Sequence, residues 1–344
     1  MTFHSSYREI WIDLAKFFSI FLVVLFHTNP NLDGFLFDFL QLLRMPAFFL
    51  IAGLLFNMDK WNKFSDFFIH RVKRLLIPYF WFYIIFYALW LLIGRKMVGA
   101  EELAINPLLP IKEFIWGRPN IILGPYWFIT CLFSMQIIFY FLKKYIHSNL
   151  IIILISVLGY LACLIWDIKN IPWCIDKALL YMPFYACANT LRTYNHSKFN
   201  HKYIVIPLLS IITFFILIIQ NQYNISPYIN HILYIMAGFC IMPLYIAICK
   251  MIAYKLESSK IAGLITYIGE YNIVTLALQN YIIGFIKIAG SIVLGINLLT
   301  TSYYSINMLI TLITIILSIG VAFLINRYIP FIIGKGNISG NKIH

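Results

Sequence analysis

The stretch IWIDLAKFFSIFLVVLFHTN, residues 10–29, indicates the class of fold. Its apolar run from Ile10 to Phe26 approaches the roughly 20 residues that a helix needs to cross the hydrocarbon core of a bilayer. A cleavable signal peptide has a shorter apolar core, of about 7–15 residues, and ends in small residues. This run instead contains Asp13 and Lys16 and is followed by HTNPNLDG. The sequence therefore predicts a transmembrane helix that is retained in the mature protein.

The whole chain of 344 residues has the same character. Hydrophobic residues make up 62% of it and charged residues 11%, against about 45–50% and 25% in a soluble domain. This composition excludes an ordinary water-soluble protein. In a membrane protein an excess of Lys and Arg collects in cytoplasmic loops, so the net charge of +13 predicts no nucleic-acid partner. The six cysteines stand singly in apolar stretches without a metal-ligand spacing, and we expect no metal site.

Apolar runs of similar length recur along the chain, each bounded by polar, Gly or Pro residues. This pattern predicts an all-α fold, a polytopic membrane protein with about ten transmembrane helices in one bundle. The sixth and ninth runs are the least apolar of the set. The predicted helices cover residues 10–29, 35–56, 76–97, 122–142, 149–166, 174–191, 203–220, 227–249, 262–285 and 303–326.

The positive charges test this count independently, because Lys and Arg collect in cytoplasmic loops. With ten helices, 17 of the 26 fall on one side of the membrane and 7, including Lys287, on the other, while Lys16 and Arg44 lie within spans. An even number of helices with both termini in the cytoplasm is therefore predicted. We expect one membrane domain over residues 1–333 and a disordered polar tail over 334–344.

Ionisable residues within a span are costly and mark candidate functional sites. Lys16 and His27 are eleven residues apart, which on an α-helix places them on one face, about 16 Å apart along the axis. Asp13, three residues before Lys16, can pair with it. The imidazole of His27 would then face the bundle interior as a base or proton carrier. The alternative is that Asp13 and Lys16 reach the inner interface and that His27 is an interfacial residue.

The second predicted helix carries Arg44 in the segment LLRMPAFFLIAGLLF. Pro46 frees a backbone carbonyl and allows a bend, and Gly53 allows close approach of another helix. Arg44 is expected near the outer end, at the level of His27, where it would hold an anionic or carbonyl group. The alternative is an arginine that reaches the interface.

A basic cluster, IHRVKRLLIPYFWF, stands between the second and third predicted helices. On an α-helix Arg71 and Arg74 share a face and form a fork suited to phosphate groups, with Lys73 between them. The alternative is a topology signal that meets anionic lipid. Its occurrence close to Lys16 and His27 in the sequence favours the phosphate site.

Together these motifs resemble those of the integral-membrane acyltransferase family 3, which includes bacterial carbohydrate O-acetyltransferases and a fucose 4-O-acetyltransferase-like group. The resemblance is carried by residues 8–27, with the basic residue, ten intervening residues and His, by residues 44–56, and by the Arg-x-x-Arg element in residues 71–82. Weaker similarities lie in residues 124–133 and 267–280.

The resemblance implies a multi-pass protein of the bacterial inner membrane with about ten helices. It implies transfer of an acyl group, most often acetyl, from cytoplasmic acyl-CoA to a hydroxyl of a surface polysaccharide or other glycan precursor. The partners would be the donor acyl-CoA (acetyl-CoA), a carbohydrate acceptor and the lipid bilayer. The donor is a substrate, and we expect no permanently bound cofactor.

Carried over by position, the resemblance implies that His27 and Lys16 are catalytically required, with Asp13 as the partner of Lys16. His27 would remove the proton of a sugar hydroxyl as it attacks the thioester, and an acyl-histidine relay is the alternative. The donor would be held by Arg71, Lys73 and Arg74.

Three further residues are weaker candidates. Arg44 or Trp127 would orient the acceptor or stabilise the oxyanion. Glu270 would tune the imidazole or bind sugar hydroxyls, or is an interfacial residue. Related sequences often carry a His where this chain has Gln279, so no second histidine is assumed there. The chain stops after the last predicted helix, and we expect no attached serine-hydrolase-like domain.

The rival from another functional class is a secondary transporter or flippase whose buried charges form a proton relay. Transporters often show paired, interrupted helices in two halves. Here the charges within spans cluster in the first 75 residues without a counterpart later, which favours the enzyme.

Overall fold

In the computed structural model the described part of the chain is helical, with short 3-10 and π-helical turns and no β-strand. The structure describes residues 10–28, 34–95, 105–193, 202–223, 225–256 and 259–336. Its helices are α1 (Ile10–His27), α2 (Gly34–Leu55), α3 (Phe64–Gly94), α4 (Leu108–Ile115), α5 (Trp127–Tyr145), α6 (Asn149–Ile165), α7 (Ile175–Thr193), α8 (Lys202–Gln222), α9 (Pro227–Leu256), α10 (Lys260–Glu270), α11 (Asn272–Leu294) and α12 (Tyr304–Tyr328).

Eight segments in the described part of the chain are long and apolar enough to span a bilayer. They comprise α1, α2, α3, residues 124–145 with α5, residues 205–222 of α8, α9, α11 and α12. Two further apolar helices, α6 and residues 261–270 of α10, are shorter. The protein is therefore an all-α polytopic membrane protein, as predicted. The exact number of spans and the cytoplasmic position of the termini stay predictions.

The ninth predicted helix, 262–285, differs from the observed one. The structure has two helices there, α10 and α11, interrupted at Tyr271 with φ −105° and ψ 18°. The continuous helix was therefore a wrong prediction. Asn272 follows the break, and the short polar side chain of Asn competes with helical backbone bonds. Further along, α11 continues nine residues beyond the predicted end at 285, to Leu294.

The third predicted helix, 76–97, begins earlier in the structure, at Phe64. Within α3 two turns are π-helical, Val72–Leu76 and Trp90–Gly94. Pro78 explains the first of them. It has no N–H to bond the carbonyl of Arg74, four residues back, and the N–H of Ile77 bonds instead to the carbonyl of Val72, five residues back. The basic cluster of the sequence thus lies in a widened turn.

The chain divides into two compact units. Unit 1 consists of residues 1–54 and 191–319. Within it α1 packs against α9, α10 and α11, and α8 packs against α9. Helix α1 is thus enclosed by other helices, which is why charged and polar side chains along it are buried.

Unit 2 consists of residues 55–190 and 320–344. Within it α5 packs against the π-helical turn of α3 and against the turn Pro172–Cys174. The C-terminal turn, Pro330–Ile333, packs against α3. The predicted single domain, 1–333, stays a prediction. Most of the predicted tail, residues 337–344, lies outside the described residues.

Candidate active site

The first cluster of predicted site residues lies near the start of α1 in unit 1. Asp13 is 1% exposed, and its Oδ1 accepts a hydrogen bond from Nζ of Lys16 at 3.3 Å. The predicted pairing across one helical turn is therefore confirmed. The half-buried ammonium of Lys16 neutralises the buried carboxylate, which avoids most of the cost that a lone charge would have in a membrane helix.

Helix α10 covers this ion pair through a glycine. A Cβ on Gly269 would come within 3.0 Å of Cα and Oδ1 of Asp13, so a larger residue would displace α10 from the carboxylate. Glu270 is the next residue, the last of α10. Asp13 precedes His27 by 14 residues on α1, or about 21 Å. Glu270 thus lies at the Asp13 end of α1, beyond reach of the imidazole that it was predicted to tune or of a hydroxyl bound beside that imidazole.

A hydrogen-bonded tyrosine ties the middle of α1 to α9. The hydroxyl of Tyr245 donates to the carbonyl of Ala15 at 2.6 Å and lies 3.1 Å from Oγ of Ser19. Both side chains are buried. These bonds fix the rotation of α1 and with it the face on which Lys16 and His27 lie.

The second cluster lies at the other end of α1, where His27 is the last helical residue. The side chain of His27 is exposed, whereas the following Thr28 is fully buried. Arg44 of α2 is the charged group that acts electrostatically on His27, and its guanidinium carbon lies 4.3 Å from the ring centre of Phe26. The structure therefore brings Arg44 to the His27 end of α1, as predicted.

The structure adds a second cation at this end of α1. Lys287 was predicted in an outer loop, and this prediction is wrong because α11 continues to Leu294 and carries Lys287 in its interior. Its side chain is buried, and Nζ donates to the carbonyl of Thr28 at 2.8 Å. The periodicity of the sequence does not distinguish a buried lysine within a helix from a lysine in a loop.

Gln279 on α11 is also fully buried. Neither its amide nitrogen nor its amide oxygen has a hydrogen-bond partner among the described residues. A buried amide without partners is a costly feature of a protein interior. The position at which related sequences often carry a histidine is thus occupied here by a buried polar side chain in the core of unit 1.

The basic cluster forms the third group, in unit 2. Arg71 is half-buried, and its guanidinium carbon lies 5.1 Å from the ring centre of Phe67 and 5.7 Å from that of Trp61. Lys73 and Arg74 are exposed. Because the turn from Val72 is π-helical, Arg71 and Arg74 are spread further around the axis than the predicted α-helical fork.

These three cations form a positive surface, here called the basic turn (Arg71, Lys73, Arg74). Among the described residues no carboxylate lies within ion-pair distance of any of them. Cations that no carboxylate of the described chain neutralises are suited to bind an external anion. The exposed Lys73 presents a compact ammonium, and the exposed Arg74 presents a planar guanidinium that can donate two hydrogen bonds to one phosphate. The aromatic contacts hold Arg71 in place.

A group of packed aromatic rings lies next to Arg71 of the basic turn. Phe67 stacks on Tyr140 of α5 with ring centres 4.7 Å apart. Phe56 lies edge-on to Phe67 and to Phe139, and Asn189 donates to the carbonyl of Phe56 at 2.8 Å. The position of Arg71 is thus set by packing of α3, α5 and α7 within unit 2.

The C-terminal turn also contacts the basic turn. Gly334 has φ +69°, and a Cβ on it would overlap the carbonyl oxygen of Lys73. Phe331 packs edge-on against Trp81, with ring centres 5.4 Å apart. Only glycine combines this backbone conformation with so close an approach.

Trp127, one of the three weaker candidates, begins α5 in the same unit. Nζ of Lys177 lies 4.1 Å from its ring centre. Tyr140, under the basic turn, is 13 residues further along α5, or about 20 Å. Trp127 therefore lies at the opposite end of α5 from the basic turn.

Glu113 of α4 is the acidic group of a shallow groove near the outer loop of unit 2. Burial raises the pKa of Glu113, and the positive charge of Arg118 partly opposes this shift. The groove contains none of the predicted site residues. Within the described ranges, no three His, Cys, Asp or Glu side chains come together in an arrangement that would hold a metal ion.

A comparison with models of protein families gives a match to nearly the whole chain. The model of a family described as an acyltransferase domain, Acyl_transf_3, matches residues 9–327, which include every predicted site residue. No curated protein and no solved structure matches the chain.

Proposed function

The chain belongs to the acyltransferase 3 family and is a membrane acyltransferase, and from this premise we propose that it transfers an acetyl group from acetyl-CoA to a glycan hydroxyl. The observation that carries the proposal is the exposed imidazole of His27 at the end of an enclosed helix, with Arg44 beside it. We place the enzyme in the bacterial inner membrane and the acceptor in a surface polysaccharide or its precursor.

The basic turn supports a donor that carries phosphate groups. Coenzyme A has a diphosphate and a ribose phosphate, and Arg71, Lys73 and Arg74 supply three cations without carboxylate partners in the described chain. Charge-assisted bonds from guanidinium to phosphate are among the strongest polar contacts available. Lipid phosphates share this chemistry, and the donor test below separates the two.

His27 supports the chemical step. In the proposed reaction the imidazole accepts the proton of the acceptor hydroxyl as its oxygen attacks the thioester carbonyl. The C–S bond breaks, the thiolate of coenzyme A leaves, and the proton passes from the imidazolium to that sulfur. The products are the acetyl ester and free coenzyme A. Arg44 would stabilise the negative charge on the carbonyl oxygen in the transition state.

The Asp13–Lys16 ion pair lies on the part of α1 that other helices enclose. Along α1 the buried carboxylate of Asp13 lies about 21 Å from His27 and the half-buried ammonium of Lys16 about 16 Å, so neither group touches one that reacts at the imidazole. We propose that the ion pair holds α1 in place within unit 1.

The proposal is tested in membranes of a strain that lacks the chromosomal copy and expresses this protein. Given radiolabelled acetyl-CoA, these membranes are expected to label their own glycans, and mass spectrometry of surface glycans is expected to show the added acetyl groups. If the folded protein adds no label to the glycans and vesicles that contain it show proton-coupled solute uptake, the transporter would be the correct function and the acetyltransferase would not.

Gly334 provides a test of the basic turn that removes no charge. Gly334→Ala is expected to lower the melting temperature, because a left-handed residue other than glycine costs about 1–2 kcal/mol and its Cβ overlaps the carbonyl of Lys73. It is also expected to weaken acetyl-CoA binding, measured as the rise in melting temperature that the ligand produces.

Gly336→Ala is the matched control, because a Cβ there meets no atom within 4 Å. It should leave both the melting temperature and the response to acetyl-CoA unchanged. If acetyl-CoA raises the melting temperature of the Gly334 variant as much as that of the wild type, the C-terminal turn does not contribute to donor binding.

A further inference from the structure

The buried lysine of α11 is the group that neither the family match nor the predicted site explains. Lys287 is 6% exposed in a helix that is long and apolar enough to span the membrane. A buried ammonium in such a helix is costly, and residues of this kind are retained for a function by default. Among the described residues, the one hydrogen bond of the Lys287 side chain joins Nζ to the carbonyl of Thr28.

Thr28 is the residue that ends α1 directly after His27. Its N–H bonds to the carbonyls of Val24 and Leu25, and its hydroxyl donates to the carbonyl of Leu25 at 2.7 Å. The last carbonyls of a helix have no partner within the helix. Lys287 supplies that partner, and it places a positive charge at the negative end of the helix dipole.

Lys287 is itself held in place by α11. Oγ of Ser291 donates to the carbonyl of Lys287 at 2.6 Å and accepts the N–H of Leu298 at 2.8 Å. Hydrogen bonds therefore link the segment after α11 to the backbone of Lys287, and the side chain of Lys287 links α11 to the residue next to His27. The backbone next to His27 is thus linked to α11 through Lys287.

We propose that Lys287 is a positioning residue for His27, which fixes the end of α1 so that the imidazole meets the acceptor hydroxyl in a reactive orientation. This inference rests on the proposed function of His27. It assigns Lys287 to the orientation of the base and not to binding of the donor. A displacement of about 1 Å at a reacting group can cost roughly 10²-fold in rate.

The test compares Lys287→Met with Lys287→Arg in the membrane assay. Lys287→Met is expected to lower turnover at saturating acetyl-CoA by about 10²-fold, while KM for acetyl-CoA and the rise in melting temperature with acetyl-CoA stay as in the wild type. Lys287→Arg keeps a donor for the Thr28 carbonyl and is expected to recover most of the turnover. All rates are referred to the amount of folded protein.

Lys250→Met is the matched control in unit 1. Lys250 is exposed on α9, and its Nζ lies 4.9 Å from the ring centre of Trp11, at the opposite end of α1. This variant removes the same charge and should retain wild-type turnover.

Three outcomes would overturn the inference. One is wild-type turnover of folded Lys287→Met. The second is a loss that appears in KM for acetyl-CoA and not in turnover. The third is a Lys287→Arg variant as slow as Lys287→Met. If the wild-type protein transfers no acetyl, or His27→Gln is fully active, the proposed function fails instead, whatever the result at Lys287.

Discussion

His27→Gln is expected to abolish acetyl transfer, with a fall in turnover of about 10²–10⁴-fold, the usual contribution of a general base. A glutamine amide donates and accepts hydrogen bonds as the imidazole does, but it does not take up a proton near neutral pH. Because the His27 side chain is exposed at the end of α1, the substitution leaves no cavity. Melting temperature and membrane insertion should therefore match the wild type. The measurement is incorporation of label from acetyl-CoA into glycans.

His231→Gln is the control for this experiment. His231 is an exposed histidine on α9 of the same unit, and the same chemical change there should leave transfer intact. Binding of acetyl-CoA should persist in the His27 variant, since the donor site is assigned to the basic turn. Near-wild-type transfer by folded His27→Gln would show that another group removes the proton.

The features of α1 could be predicted because they depend on local spacing. A helix repeats every 3.6 residues, so the positions of Asp13, Lys16 and His27 in the sequence fix a shared face as soon as the segment is helical. The distance of 3.3 Å between Asp13 and Lys16 confirms that inference. The proximity of Arg44 to His27 was predicted for a similar reason, since both were placed at the outer ends of consecutive helices.

The features that depend on distant contacts could not be predicted in this way. Hydropathy placed Lys287 outside the span, because a charged residue looks like the end of an apolar run. Its burial depends on a carbonyl 259 residues away in sequence, that of Thr28. Gly269 resembles any helical glycine in sequence, and only its contact with Asp13 shows why a side chain is excluded there.

The basic turn lies between these cases. Its charges were evident, and the local signal for its widened geometry was also present, since Pro78 follows Arg74 by four residues and removes the bond that an α-helix would make. An α-helical spacing was assumed through that proline. The resulting fork differs from the structure, in which Arg71 packs on aromatic rings while Arg74 faces outward.

The double variant Arg71→Ala, Arg74→Ala is expected to lose donor binding almost completely. A hydrogen bond to a charged group contributes about 1.5–3 kcal/mol, and every 1.4 kcal/mol is tenfold in affinity, so loss of two such contacts weakens binding by at least about 10²-fold. At a concentration near 100 times Kd, acetyl-CoA stabilises the wild type by about 2.7 kcal/mol. After a hundredfold loss about 0.4 kcal/mol remains, and the rise in melting temperature should nearly vanish.

Lys143→Ala with Lys144→Ala is the matched control, because it removes two positive charges from the end of α5 in the same unit. These lysines already have partners: Nζ of Lys143 donates to Oδ1 of Asn149, and Lys144 lies over the ring of Tyr145. The control should keep the response to acetyl-CoA. Dephospho-coenzyme A, which lacks the ribose phosphate, should stabilise the wild type less than coenzyme A does. An equal response to acetyl-CoA in the arginine variant and the wild type would assign the basic turn to lipid phosphates, since the donor would then bind elsewhere.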